Sequence, residues 1–179
     1  AYIYHGGTWH QFSDEMRGVL FYKGDQQVEL TGGYASTGLR MYGWTDGEWM
    51  GSDAPVLEIG TDMKIYQANN PKFGTVFTNK MLDVSACSKL CVDLEYNILG
   101  KGFNNGFGIH LTKTNTNGYN PLVTYFVDTA KEDKSYNGVV TMDLSGVSGN
   151  VYLAISSHRH SHLEQHPYNT VTIRKIWLE

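Results

Sequence analysis

A chain of 179 residues with 41% hydrophobic content can bury one sizeable core and is too apolar to be disordered. Charged residues make up only 18%, the net charge is -4 and no run of Lys or Arg occurs, so the electrostatic footprint of a nucleic-acid binder is missing. No stretch approaches the roughly 20 apolar residues of a membrane span.

The charge deficit is filled by turn and strand formers: 20 Gly, 12 Tyr and 4 Trp, with abundant Asn, Thr and Ser. The chain opens on Tyr2-Ile3-Tyr4-His5-Gly6-Gly7-Thr8-Trp9, which predicts a small hairpin with an aromatic on each arm. Such a hairpin is marginal alone, so residues 1–18 are expected as an appendage or linker and 19–179 as the main domain. No basic segment followed by an apolar run precedes it, so no secretion signal is expected in this stretch.

Further along, strand patterns of period two dominate. The 80–99 stretch lacks glycine, and its apolar residues fit either a helical stripe or a strand. Alternation of Leu90, Val92, Leu94 and Tyr96 with Lys89, Asp93 and Glu95 favours a turn over 83–88 and a strand from 89 to about 97. Phe107 to Lys113, Leu122 to Asp128, Val139 to Leu144 and Val151 to His158 are further strands. Thr170 to Leu178 reads as a final strand, with Val171, Ile173, Lys175 and Trp177 on one face and Thr172, Arg174, Ile176 and Leu178 on the other. Many short strands between Gly, Asn, Asp and Ser turns predict an all-β fold, an antiparallel sandwich or jelly roll. Cys87 and Cys91, four residues apart, are too far apart on a strand for a disulfide; two free thiols are expected. They are too few for a zinc site.

Two regions resemble a known group. The Tyr4 to Trp9 hairpin is similar to short aromatic–glycine units in tail proteins of phages that infect Gram-positive bacteria. Leu20-Phe21-Tyr22-Lys23-Gly24-Asp25, Val28 to Tyr34, Phe73 to Lys80, Leu82-Asp83-Val84, Val151 to Ile155 and Val171 to Leu178 resemble a module of the same proteins. Gln26-Gln27 stand where a cysteine is expected in relatives. The resemblance covers residues 19–179 and implies a jelly roll like a carbohydrate-binding module, carried in the virion on a distal-tail, baseplate or accessory-baseplate protein. Its implied partners are host cell-wall polysaccharide and other tail proteins, and its implied role is host recognition during adsorption. A structural decoration of the tail and a glycan depolymerase are the alternatives. No fixed binding motif transfers from the group, so the site must come from the residues.

Sugars present apolar C–H faces and polar rims, which call for aromatic platforms beside neutral hydrogen-bonding groups. The densest such cluster is Tyr42-Gly43-Trp44-Thr45-Asp46-Gly47-Glu48-Trp49, with Asp46-Gly47 as a hairpin tip; a tryptophan that merely closes the sandwich is the plainer alternative. His158-Arg159-His160-Ser161-His162, with Glu164, His166 and Tyr168, predicts a long polar end loop able to contact saccharide, to hold a transition metal, or simply to stay solvated. The His162 to His166 spacing misses the helical zinc signature because its glutamate comes one place late. Asp93, Glu95, His110, Tyr125, Tyr152, Ser156 and His158 all alternate with apolar positions and would line one sheet face if their strands are neighbours. Tyr119 and Asn120 sit in a polar loop, and Asn104-Asn105-Gly106 reads as a tight turn. Trp9 is read as structural, and Trp177 as core or inter-module packing. Asp25, Glu29, Asp143 and Glu179 are candidate ligands for a structural calcium, but no spacing fixes a site. Nucleophile elbow, phosphate-loop and nucleotide signatures are lacking, and Asp93 with Glu95, two apart on one strand, do not flank a bond from opposite sides as a glycosidase pair must. A non-catalytic binding module is expected.

Overall fold

The computed structural model describes residues 2–5, 8–11, 18–28, 30–34, 51–69, 71–103, 105–114, 121–160 and 169–179, with the main chain alone for 2–5, 8–11, 31–34 and 51–52. Strands β1 (Tyr2–His5) and β2 (Thr8–Gln11) form the expected hairpin as a sheet of their own, with Tyr4 opposite Trp9. The rest builds two larger sheets. The front sheet runs β13 (Pro121–Asp128), β12 (Gly106–Thr112), β15 (Asn150–Arg159), β9 (Lys72–Thr78), β5 (Leu30–Tyr34). The short β10 (Leu82–Asp83) also pairs with β15, and β6 (Gly51–Ser52) runs parallel to β9. The back sheet runs β14 (Lys134–Asp143), β11 (Lys89–Ile98), β16 (Val171–Leu178), β3 (Val19–Tyr22), β4 (Asp25–Gln26), and the hairpin of β7 (Val56–Ile59) and β8 (Met63–Tyr66) joins β16. Every pairing except β6–β9 is antiparallel.

The chain crosses between the sheets repeatedly. β9 lies in front, β11 behind, β12 and β13 in front, β14 behind, β15 in front and β16 behind. From β13 onward each strand lies in the other sheet from the one before it, while β15 fits between β12 and β9 and β16 between β11 and β3. That path is a jelly roll, and it realises the all-β sandwich expected from composition and patterning. No helix occurs among the described residues.

Period-two patterning fixes what faces inward. Leu90, Val92, Leu94 and Ile98 of β11 meet Phe107, Ile109 and Leu111 of β12 and Val151, Leu153 and Ile155 of β15 in one buried cluster. Each such side chain contributes roughly 1.5–3 kcal/mol on leaving water. β11 ends within a residue of its predicted end, after a turn in which the Asp83 carboxylate accepts from the Ser85 N–H and hydroxyl. Both cysteines are free, Cys87 half-buried and Cys91 buried.

The last strand departs from strict alternation. Asp93 pairs with Lys175 and Leu94 with Ile173, so Arg174 is an extra residue on β16, a β-bulge. The bulge resets the phase: Val171, Ile173 and Ile176 all face the core, while Lys175 and Trp177 turn outward. The expected division of this strand into two faces is therefore corrected beyond Ile173. Trp177 is not in the core. It lies half-buried on the outer surface, with Lys175 Nζ 4.8 Å from its ring centroid and its Nε1–H donating to Glu179.

Candidate functional site

Of the proposed sugar contacts, Tyr42, Trp44, Asp46, Trp49, Tyr119 and Asn120 lie outside the described residues. The structure places His110, His158, Arg159 and His160, and only partly as expected. The seven-residue sheet face is divided. Asp93 and Glu95 belong to β11 on the outside of the back sheet, where Arg174 engages both at 2.5 and 3.5 Å. His110, Tyr152, Ser156 and His158 share the outside of the front sheet. Tyr125 has the opposite parity on β13 and points between the sheets, packed on the core.

The two histidines of the front face are not exposed contacts. His110 is fully buried; one ring nitrogen lies 2.9 Å from Thr124 Oγ1 and the other 2.9 Å from Ser156 Oγ, so it bridges β13 and β15 from the strand between them. Gly108 of β12 makes the room for His110, since a Cβ there would stand 2.4 Å from its ring; a Cβ on Gly106 would run first into the Val127 carbonyl and only then approach His158 Cε1 at 3.0 Å. His158, 3% exposed, stacks between Phe73 (6.0 Å) and Phe126 (5.2 Å), and its Nδ1 has no hydrogen-bond partner. Burial drives both imidazoles down to about 3, with the neighbouring His158 adding to the effect on His110. Both are therefore neutral at physiological pH.

Beyond β15 the chain is held by side-chain clamps. Arg159 Nη1 donates to the Ala68 carbonyl at 2.7 Å, and the His160 main-chain N–H donates to Asn105 Oδ1 at 2.8 Å. Asn169 Nδ2 donates to the carbonyls of Gly106 and His158 and to Ser157 Oγ. Asn105 thus acts as a buried anchor and not as the tip of a tight turn. Arg159 and His160 are engaged with the scaffold at the base of the segment, whose residues 161–168 lie outside the described set.

No three His, Cys, Asp or Glu side chains gather into a metal-binding group among the described residues. The calcium candidates are used locally instead: Asp143 accepts from Ser145, and Glu179 pairs with Lys89 and Trp177. Asp25 is exposed on the short β4, and Glu29 lies outside the described residues.

An open crevice was not anticipated. It runs along the side of the sandwich between the edge strands of the two sheets, and Tyr96, Tyr125, Phe126, Val127, Asp128 and Lys134 line it. Tyr96 comes from β11 and Tyr125 from β13, and their hydroxyls meet at 3.1 Å. Tyr96 packs its edge on Phe107 (5.1 Å, 68°) and lies 6.2 Å from Tyr136, while Tyr125 lies 6.2 Å from Phe107. Burial, then its bond to Tyr96, pushes the Tyr125 phenol up, so Tyr125 stays neutral. One hydroxyl donates to the other, which leaves one O–H and several lone pairs for a ligand. At the mouth, Asp128 Oδ1 accepts from the Ala130 N–H at 2.9 Å, and Lys134 Nζ pairs with Glu132 at 2.5 Å. Aromatic surface, two phenol hydroxyls, a carboxylate and an ammonium thus converge on one open groove. Such a lining can offer ring surface for stacking and polar groups for hydrogen bonds. The signal available in the sequence was the short link of residues 129–133 between two strand patterns, one carrying Tyr125 and the other Tyr136.

Comparison with known proteins adds little to this geometry. No family model matches the chain, and none of the curated proteins matches it. Among solved structures, the chain is similar to the K2 cleaved adhesin domain of Lys-gingipain at 12% identity and a TM-score of 0.38, over 82% of this chain and 97% of that one. A likeness that loose transfers neither site nor partner.

Proposed function

We propose that this chain is a non-catalytic binding module that holds saccharide in the side crevice between β13 and β14. The observation that carries the reading is the pairing of the Tyr96 and Tyr125 hydroxyls inside an aromatic-lined groove flanked by Asp128 and Lys134. Ring surfaces suit the C–H faces of a pyranose, and phenol hydroxyls suit its hydroxyls. A shallow groove orders few groups and buries little area, so each module binds weakly. The phage-tail setting rests on the resemblance of the Tyr4–Trp9 hairpin and of residues 19–179, and the natural ligand in that setting is cell-wall polysaccharide of the host. Many copies on one virion would turn weak single contacts into firm attachment.

The test is a fluorescent fusion applied to Gram-positive cells and to purified wall polysaccharide, beside Tyr125→Ala and a Trp44→Ala/Trp49→Ala double variant. Labelling that falls with Tyr125→Ala places the ligand in the crevice. Labelling lost only in the tryptophan variant moves the site to that segment. A folded fusion that labels nothing counts against saccharide binding altogether, and new reducing ends in the polysaccharide would overturn the non-catalytic reading.

A further inference from the structure

The outer face of the back sheet carries two lysines that rest on aromatic rings. Lys175 Nζ stands 4.8 Å from the Trp177 ring centroid and 5.4 Å from that of Tyr22, and Lys23 Nζ stands 5.1 Å from Tyr22. Among the described residues neither forms an ion pair, in a chain with 18 acidic residues against 14 basic ones. Lys175 lies directly across the ladder from Asp93. The β-bulge gives that carboxylate to Arg174 instead, at 2.5 and 3.1 Å, and leaves the Lys175 ammonium to the rings. At the far end of the row, Glu179 is taken by Trp177 and Lys89. Lys23 is held in place against its backbone preference. It is the one non-glycine residue with positive φ among the described residues, at 50°, followed by Gly24 at 85°. Two left-handed residues between Tyr22 and Asp25 form the tight turn of the β3–β4 hairpin, where Asn-Gly or Asp-Gly is the favoured pair. Lysine has no short polar group to offset that conformation. What it brings to the turn is an ammonium beside Tyr22.

We infer that the row Lys23, Tyr22, Lys175, Trp177 binds a saccharide carrying an acidic group, carboxylate or phosphate, at a site separate from the side crevice. A lysine ammonium has three donors, and a ring on one side leaves the others for an acceptor. Two such ammoniums flank Tyr22, so one anionic group can meet both, while the rings of Tyr22 and Trp177 offer surface to the sugar beside it. Two isolated cations in a chain of net charge -4 suit one anionic group and not a polyanion, which calls for many phosphate contacts. A peptide partner has no strand edge to join here, because β16 is paired on both sides, with β11 and with β3. Side chains alone make the surface. The bulge at Arg174 and the strained turn at Lys23 are then two separate departures from regular sheet that serve the same row.

The experiment titrates the whole chain with galacturonic acid trisaccharide and with glucose 6-phosphate, each beside its neutral twin, the methyl ester and glucose, and follows the Trp177 indole N–H by NMR. One acid or the other should shift that signal saturably, and which one does so names the anion. The neutral twin should bind about ten-fold more weakly, since both ammonium contacts are lost. Lys175→Met keeps an apolar stem between the rings. It and Lys23→Asn should each weaken binding about three- to five-fold, the worth of a partly exposed ion pair, and high salt should weaken the parent in the same way. Lys23→Asn carries a second readout. It restores the favoured Asn-Gly turn, so its unfolding midpoint should rise while its affinity falls. A lysine serving the turn alone would show no such split. Binding of neither acid, equal binding of acid and neutral twin, triglutamate binding as well as either acid, or a Lys23→Asn with the parent's affinity would overturn the inference. Tyr125→Ala leaves this row intact and should leave the acid titration unchanged, so failure of the crevice reading and failure of this one are told apart.

Discussion

Tyr96 and Tyr125 approach from different sheets, and their hydroxyls meet at 3.1 Å where the side of the sandwich opens. One contact thus ties β11 to β13 and sets the floor of the crevice. Tyr125→Phe should cost about 1 kcal/mol, the usual net worth of one hydrogen bond, read as a small drop in the urea midpoint. Tyr125→Ala also removes ring surface shared with Phe107 and should cost about 2 kcal/mol or more. Saccharide retention on an affinity gel should fall in the same order.

Acid should destabilise the fold through its histidines. His110 and His158 titrate near 3 when folded but near ~6.5 in an unfolded chain. The unfolded state therefore takes up protons first as pH falls. Stability is full above about 6.5 and is lost between there and about 3, by up to ~1.4 kcal/mol per pH unit for each histidine. The lowered carboxyls of Asp83, Glu132 and Asp143 act in the same direction, but only below the ordinary carboxylate range, so the window from about 4.5 to 6.5 reports histidine. Denaturant midpoints across that window should slope steeply in the parent and less steeply in His158→Phe, whose ring suits the space between Phe73 and Phe126. An unchanged slope would exclude His158 as a source.

Glycine 108 is required by a side chain on its own strand. Gly108→Ala would put a methyl 2.4 Å from the His110 ring and 2.8 Å from Ser156 Oγ. The imidazole must then move and lose its bonds to Thr124 and Ser156, at a cost of about 2 kcal/mol or more. Gly146→Ala meets nothing within 4 Å and should leave the unfolding temperature close to the parent's.

Arg174 is the bulged residue of β16, and its guanidinium reaches Asp93 at 2.5 and 3.1 Å, Asn137 at 2.7 Å and the Leu94 carbonyl at 3.2 Å. The side chain is 30% exposed, so solvent screens the pair and Arg174→Ala should cost only about 1 kcal/mol. Arg174→Lys should recover less than half, because a single ammonium cannot reproduce the fork. Melting curves at low and high salt would separate the ionic share from the hydrogen bonds.

Much of the strand content was legible in one dimension. Alternation along Leu90 to Ile98 and Val151 to Ile155 is a local property, since side chains on a strand must point to opposite sides. Beyond Ile173 the same rule failed in β16, because a bulge is a pairing event: only against Asp93 and Leu94 does Arg174 become the extra residue.

The sequence by itself determined that this chain is a β protein with a buried apolar row on each long strand, because period and turn chemistry are written in neighbouring residues. Tertiary structure alone decided which rows share a sheet. It separated Asp93 and Glu95 from His110 and His158, since the jelly-roll path sends β11 and β12 to different sheets. It buried the two histidines, and Gly108 of β12 leaves the space that the His110 imidazole fills. It also made the crevice, which exists only because strands adjacent in sequence, β13 and β14, end as facing edges of opposite sheets. Polar residues at alternating positions report that one side of a strand differs from the other; whether that side meets water depends on what the rest of the chain lays against it.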